Sequence, residues 1–219
     1  MTPCKCQQIE KSKIIWTKAG INLEQTKQTF KSYTPYNEST KLAKDKAIEY
    51  YKNFNKVRKR RHNSIAFLGQ VGSGKTHLSI ALAVNFLEKR RISVVYMPYR
   101  DVITSIKQNM LDKEYYAKQL SKYQTAEILL IDDLFKGKIT ESDINIMFEI
   151  VNYRYLNYLP IIVSSEYTIE RLLNFDEAVA SRIYEMCKDY TVEVTGKKNN
   201  YRLREEFWNE QNCINRQAY

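Results

Sequence analysis

Residues 69–76 read Gly-Gln-Val-Gly-Ser-Gly-Lys-Thr, and no other stretch of the chain restricts its fold as strongly. The pattern G-x-x-x-x-G-K-T follows an apolar run at 65–68. It opens a helical periodicity carried by Leu78, Ile80, Ala81, Ala83, Val84 and Leu87. Glycines at 69, 72 and 74 let the backbone curl until its N–H groups face one point. A helix beginning there adds partial positive charge at the same place. Strand, glycine turn and helix in this order predict a phosphate-binding loop. Gly69, Gln70, Val71, Gly72, Ser73, Gly74, Lys75 and Thr76 are expected to cradle ATP or ADP, with His77 next in line. Lys75 is expected to reach the β- and γ-phosphates, and the Thr76 hydroxyl to hold Mg²⁺.

Further short apolar runs stand at 93–97, 128–131, 161–164 and 190–194. Helical patterns fill the gaps at about 75–89, 99–122, 141–157, 168–173 and 176–187. Strands alternating with helices imply crossover connections, hence an α/β domain with a five-stranded, mainly parallel sheet sandwiched by helices. Three regions follow: residues 1–40, polar with turn-like stretches; 41–63, an amphipathic helix and a basic linker; and 64–219, the α/β domain. The basic run at 56–62 reads as a solvated linker.

The third strand ends in two carboxylates, Asp132 and Asp133. In a parallel sheet this puts them at the carboxyl edge, beside the phosphate loop. Asp132 is expected to orient the magnesium, and Asp133 to position or deprotonate the attacking water. Without the phosphate loop upstream, such a pair would read as a helix cap or turn.

Four stretches carry a resemblance: 72–78 (Gly-Ser-Gly-Lys-Thr-His-Leu), 129–134 (Leu-Leu-Ile-Asp-Asp-Leu), 161–168 (Ile-Ile-Val-Ser-Ser-Glu-Tyr-Thr) and 181–187 (Ser-Arg-Ile-Tyr-Glu-Met-Cys). In this order the chain resembles AAA+ ATPases, and among them the DnaC/DnaI-type replicative helicase loaders, in the versions carried by phages and prophages of Gram-positive bacteria. The resemblance implies a sensor of the γ-phosphate after the fourth strand, at Ser165 or Glu166. It also implies an arginine finger, Arg182, supplied to a neighbouring subunit by self-association, and Arg202 as a second phosphate-sensing arginine. Two positions depart from the AAA+ pattern. Asp133 stands where Glu is usual, so slow hydrolysis is expected, and Glu166 stands where Asn is common, placing an anion against phosphate.

The implied partners are the hexameric replicative helicase, gripped by the amino-terminal region, and single-stranded DNA. Net charge of +10, from 35 Lys+Arg against 25 Asp+Glu, is compatible with a nucleic-acid partner and equally with a solvated lysine-rich surface. Tyr99, Arg100, Lys107, Lys113, Tyr115, Tyr116, Lys118 and Lys122 interleave basic and aromatic groups suited to phosphates and bases. Tyrosines at helical spacing also serve as ordinary packing.

Cys4 and Cys6 are at metal-binding spacing, but a closed zinc site needs four ligands and no Cys or His lies nearby. The related loaders carry a fuller cysteine module, of which this pair resembles the later part. Unligated thiols are expected, with Zn²⁺ as the alternative. Cys187 and Cys213 read as free thiols. Neither a signal-peptide pattern nor an apolar stretch of about 18 residues is visible, so a cytoplasmic protein without a membrane partner is expected. Four functions remain open: a helicase loader, a transposition-helper ATPase of the same clade, a small-molecule kinase using the same loop, and a binding module that uses ATP only structurally.

Overall fold

The computed structural model describes residues 5–203, with side chains from residue 12 onward. Cys4 and Cys213 lie outside the described residues, as does the Cys6 side chain. Five strands, β1 (Ile65–Gly69), β2 (Val94–Pro98), β3 (Ile128–Asp132), β4 (Ile161–Ser165) and β5 (Thr191–Val194), form one sheet in the order β2-β3-β4-β1-β5. Every neighbouring pair is parallel. β1, β3 and β4 are buried at every position, as strands covered on both faces must be.

Because side chains alternate across a strand, each strand feeds two cores. Ile65, Phe67, Ile128, Leu130 and Ile162 point to one. Ala66, Leu68, Leu129, Ile131, Ile161 and Val163 point to the other. The first core receives α2 (Glu38–Val57) and α3 (Lys75–Asn85), with Tyr50, Phe54 and Phe86 in mutual ring contact. The second receives α4 (Tyr99–Gln108), α5 (Lys113–Thr125), α6 (Glu141–Leu156), α7 (Ile169–Phe175) and α8 (Glu177–Cys187). Among the described residues no helix is long and apolar enough to cross a membrane.

Three features depart from the sequence expectation. The stretch 99–122 is two helices, because Asp112 caps α5 by accepting from the Tyr115 N–H at 3.0 Å. Leu111, at the turn between them, is 99% exposed.

A helix not foreseen, α1 (Lys5–Ala19), precedes a chain that runs back over the first core. Gly20 ends it at φ +80°, with the Ile21 N–H reaching the Trp16 carbonyl at 2.9 Å, a Schellman closure. Ala19, Ile21 and Tyr33 are then buried in the same cluster as the phosphate-loop helix.

The basic run is solvated only in part: Lys56, Lys59 and Arg60 are exposed, while Arg58, Arg61 and His62 are anchored. Arg58 pairs with Glu127 at 2.8 Å, the Arg61 guanidinium sits 3.9 Å from the Tyr155 ring centre and 4.2 Å from that of Tyr158, and His62 faces Asp189 at 3.5 Å. Those partners lie far away in sequence, out of reach of any local pattern.

A candidate nucleotide site

β1 delivers the 69–74 loop at the carboxyl edge of the sheet, and α3 starts at Lys75 with its N-terminus on the loop. Gly72 and Gly74 hold φ of +73° and +87°. A Cβ on Gly72 would lie 2.1 Å from the Asn200 side-chain oxygen, and one on Gly74 would lie 2.6 Å from the Tyr33 ring. Glycine is required here both by backbone conformation and by close approach. The Ser73 hydroxyl donates to the Gln70 carbonyl at 2.8 Å, closing the loop on itself.

Lys75 is nearly buried, and its ammonium donates to the Gly69 and Gln70 carbonyls at 2.9 and 2.7 Å. Burial pulls its pKa down to about 8, against the opposing pull of Glu166 and Asp133. Val71, Gly72, Ser73, Gly74 and Thr76 join Lys75 in one wall of a cleft of about 600 Å³. Asp132, Asp133, Glu166 and Arg202 line the same cleft.

Asp132 is the hub of the floor. Its carboxylate accepts from the Thr76 hydroxyl at 2.9 Å, from the Tyr96 hydroxyl at 3.1 Å and from the Ser164 hydroxyl. Burial raises its pKa, while the Ser164 hydrogen bond works against the shift. Asp133 turns the chain at φ +56°, a left-handed conformation that Asp tolerates better than most residues. Its N–H donates to Ser164 Oγ at 2.9 Å. Its carboxylate accepts from Lys136 at 2.8 Å, and the same ammonium reaches Glu166 at 2.9 Å. The bond to Asp133, and next that to Glu166, raises the Lys136 pKa despite partial desolvation.

Four expected residues need correction or comment. Ser165 does not reach the cleft: it is fully buried and donates to the Leu134 carbonyl at 2.8 Å. Alternation along β4 turns its neighbour Ser164 onto the two aspartates instead. Glu166 faces the cleft, but its charge is met by Lys136.

His77 stands in the cleft wall, yet its ring is engaged by the amino-terminal segment. Its Nε2 lies 2.9 Å from the Thr29 carbonyl, and Tyr33 meets the ring edge-on at 5.2 Å. Arg182 does not line its own chain's cleft. On α8 it donates to Asn152 Oδ1 at 3.0 Å and to the Ala178 carbonyl at 2.7 Å, with Phe148 beneath it at 4.9 Å.

The amino-terminal segment supplies the remaining wall. Tyr33 and Tyr36 line the cleft, and the Tyr33 hydroxyl donates to the Ser73 carbonyl at 3.3 Å. Tyr36 stands 5.7 Å from Tyr201, whose N–H is held by the Gly72 carbonyl at 3.0 Å.

Sequence reasoning missed Ser164, Tyr96, Lys136 and Tyr33. Ser164 was findable by counting alternate residues along β4, and Lys136 by its i+3 spacing from Asp133. Tyr96 and Tyr33 carry no such signal.

The candidate DNA tyrosines are largely committed to packing. Tyr99 is buried, Tyr115 bonds Ser105, and Tyr116 donates to Glu149 at 2.9 Å. Lys107 pairs with Asp143 at 2.7 Å, whereas Arg100, Lys113, Lys118 and Lys122 are exposed. Cys187 is a buried free thiol, its pKa pushed up by that burial. Among the described residues no group of three or more His, Cys, Asp and Glu is placed to hold a metal ion.

A phosphate loop on β1, an acidic pair on β3 and the strand order β2-β3-β4-β1-β5 define a P-loop ATP-binding protein of the AAA+ class. The family model for IstB-like ATP binding proteins matches residues 18–208, and the chain belongs to that family. Two Bacillus subtilis (strain 168) proteins are each 38% identical to it. One is the uncharacterized protein YqaM, matched over 91% of this chain and 66% of its own length. The other is the phage-like element PBSX protein XkdC, matched over 89% of this chain and 75% of its own length. The chain thus spans just under two thirds of YqaM. Among solved structures, the DnaC helicase loader matches with a TM-score of 0.68 at 25% identity, over 79% of this chain and 99% of that one.

Proposed function

We propose that the chain is an ATP-dependent loader that binds a replicative helicase and delivers it to single-stranded DNA. The observation that carries the reading is the convergence of Lys75, Thr76, Asp132 and Asp133 in one cleft, on a fold shared with the DnaC helicase loader. The relative XkdC belongs to a phage-like element, which agrees with a mobile-element setting for this chain.

The Thr76 hydroxyl and the Asp132 carboxylate, 2.9 Å apart, are hard oxygen donors suited to Mg²⁺ and its waters. Bound there, the ion would neutralise charge on the β- and γ-phosphates. Lys75 exchanges its two loop carbonyls for phosphate oxygens, and the loop N–H groups and the α3 N-terminus hold the remaining charge. Asp133 orients a water against the terminal phosphorus and accepts its proton. The bond from that phosphorus to the β–γ bridging oxygen breaks, and ADP leaves with the bonding pair. Asp133 is one methylene shorter than the Glu usual at this position, which favours slow turnover and a nucleotide-gated switch over a motor.

Arg182 does not line its own cleft, which is compatible with the proposed role at a neighbour's nucleotide once two copies associate. Residues 1–40 are the proposed helicase-gripping segment. Thr29, Tyr33 and Tyr36 touch the phosphate-loop region or its surroundings, so nucleotide state has a direct mechanical route into that segment.

The IstB-like family match favours one other client, a transposase, with the same site serving transposition. Affinity capture of the cognate hexameric helicase and, in parallel, of a cognate transposase separates the two. Helicase retention that depends on ATP is the expected result. Failure to retain helicase with ATP or ADP, alongside retention of transposase, would overturn the loader reading.

A further inference from the structure

Lys136 belongs to no part of the site that the motif predicts, yet its ammonium is the bridge between the two acidic groups at the mouth of the cleft. It is 2.8 Å from Asp133 and 2.9 Å from Glu166, and the three line the same cleft as Lys75 and Thr76. The turn that carries it is fastened on several sides. The Leu134 N–H donates to the Ser164 carbonyl at 2.8 Å, and the Lys136 N–H donates to the Asp133 carbonyl at 3.1 Å. Phe135 is buried between Tyr99 and Phe175, at ring distances of 5.6 and 5.0 Å. Backbone movement is therefore restricted, while the Lys136 side chain, 43% exposed, keeps its rotational freedom.

We propose that Lys136 is a positioning residue that reads the terminal phosphate in cis, and that its present grip on Asp133 and Glu166 is the resting state of that reader. The inference rests on the nucleotide-binding reading of the cleft. Both of its ion pairs are part-exposed, with side-chain exposures of 34% for Asp133 and 29% for Glu166, so each is weakly held. A terminal phosphate brings more negative charge and several acceptor oxygens into the same cleft. It would attract the ammonium away at small cost.

Two consequences follow from one movement. The cation comes to the terminal phosphate, and the Asp133 carboxylate is released to meet water. ADP, lacking the terminal phosphate, leaves the clamp closed. Glu166 then has a purpose that phosphate repulsion alone denies it: with Asp133 it stores the lysine at the cleft mouth.

The test is the ratio of affinities for a nonhydrolysable ATP analogue and for ADP, measured by calorimetry on wild type, Lys136→Met, Lys136→Arg and Glu166→Gln. Loss of one charge-assisted contact predicts that Lys136→Met weakens the ATP analogue roughly tenfold or more while leaving ADP affinity near wild type. Lys136→Arg should restore most of the preference, and Glu166→Gln should keep it, since the cation survives. An unchanged ratio in Lys136→Met, or an equal loss for both nucleotides, would overturn the assignment of Lys136 alone. Failure of the wild-type protein to bind either nucleotide would instead overturn the nucleotide reading, and this inference with it.

Discussion

Replacing Ser164 by alanine, beside the matching change at Ser165, asks which of two adjacent serines serves the site. Ser164 is fully buried, donates to the Asp132 carboxylate and accepts the Asp133 N–H at 2.9 Å. Alanine removes a hydrogen bond to a charged group, about 1.5–3 kcal/mol, and leaves an N–H without its partner, about 1–3 kcal/mol. Allowing for relaxation, a net loss of about 3 kcal/mol lowers Tm by about 6–12 °C for a chain of this size. The same change raises the Asp132 pKa further, since the Ser164 bond opposes the effect of burial. It also frees the Asp133 backbone from its anchor, so ATP turnover should fall roughly tenfold or more.

Ser165 bonds only neutral groups, the Leu134 carbonyl at 2.8 Å and the Tyr167 N–H at 3.2 Å. Its alanine variant should lose about 1–2 kcal/mol and keep turnover close to wild type. Thermal unfolding followed by circular dichroism, with a phosphate-release assay on the same samples, reads both quantities. Equal turnover in the two variants, or greater damage from Ser165→Ala, would refute the placement of Ser164 as the group that organises both aspartates.

Three further outcomes are expected. Lys75→Ala should weaken ATP binding by roughly 100-fold or more, the loss of a buried cation's several phosphate contacts; tight binding by the variant in calorimetry would contradict the site. With Lys75 at a pKa of about 8, phosphate contact must raise that value, so nucleotide binding takes up a proton above pH 8. Affinity should therefore fall by up to about tenfold per pH unit above 8, and titrations flat from about pH 7 to 9.5 would count against a buried, phosphate-seeking Lys75. Arg182→Ala should leave ATP affinity intact while lowering partner- or DNA-stimulated hydrolysis by a factor of roughly 10³, the effect of a trans-acting arginine in other NTPases. Unchanged stimulated turnover would leave Arg182 with only its bonds to Asn152 and Ala178.

The phosphate loop, the acidic strand and the alternation of apolar runs with helical periodicity could all be read along the chain. Each rests on short-range physics: glycine at positive φ, a helix N-terminus after a turn, and strands apolar throughout because both faces are covered. Side-chain alternation, also a local rule, could have favoured Ser164 over Ser165.

What local rules could not supply was any contact between residues distant in sequence. Tyr96 reaches Asp132 because β2 and β3 are neighbours in register, with Pro98 opposite Asp132. Tyr33 touches the phosphate loop because α1, Gly20 and Ile21 bring the amino-terminal segment back over the first core. Arg58, Arg61 and His62 of the basic run became anchors only once Glu127, Tyr155, Tyr158 and Asp189 were folded against them. Sequence alone determined that the chain holds a phosphate loop with two aspartates. The tertiary structure decided how their charges are shared, putting Ser164 between the aspartates and Lys136 between Asp133 and Glu166, because those partnerships exist only where separate strands and turns meet at one sheet edge.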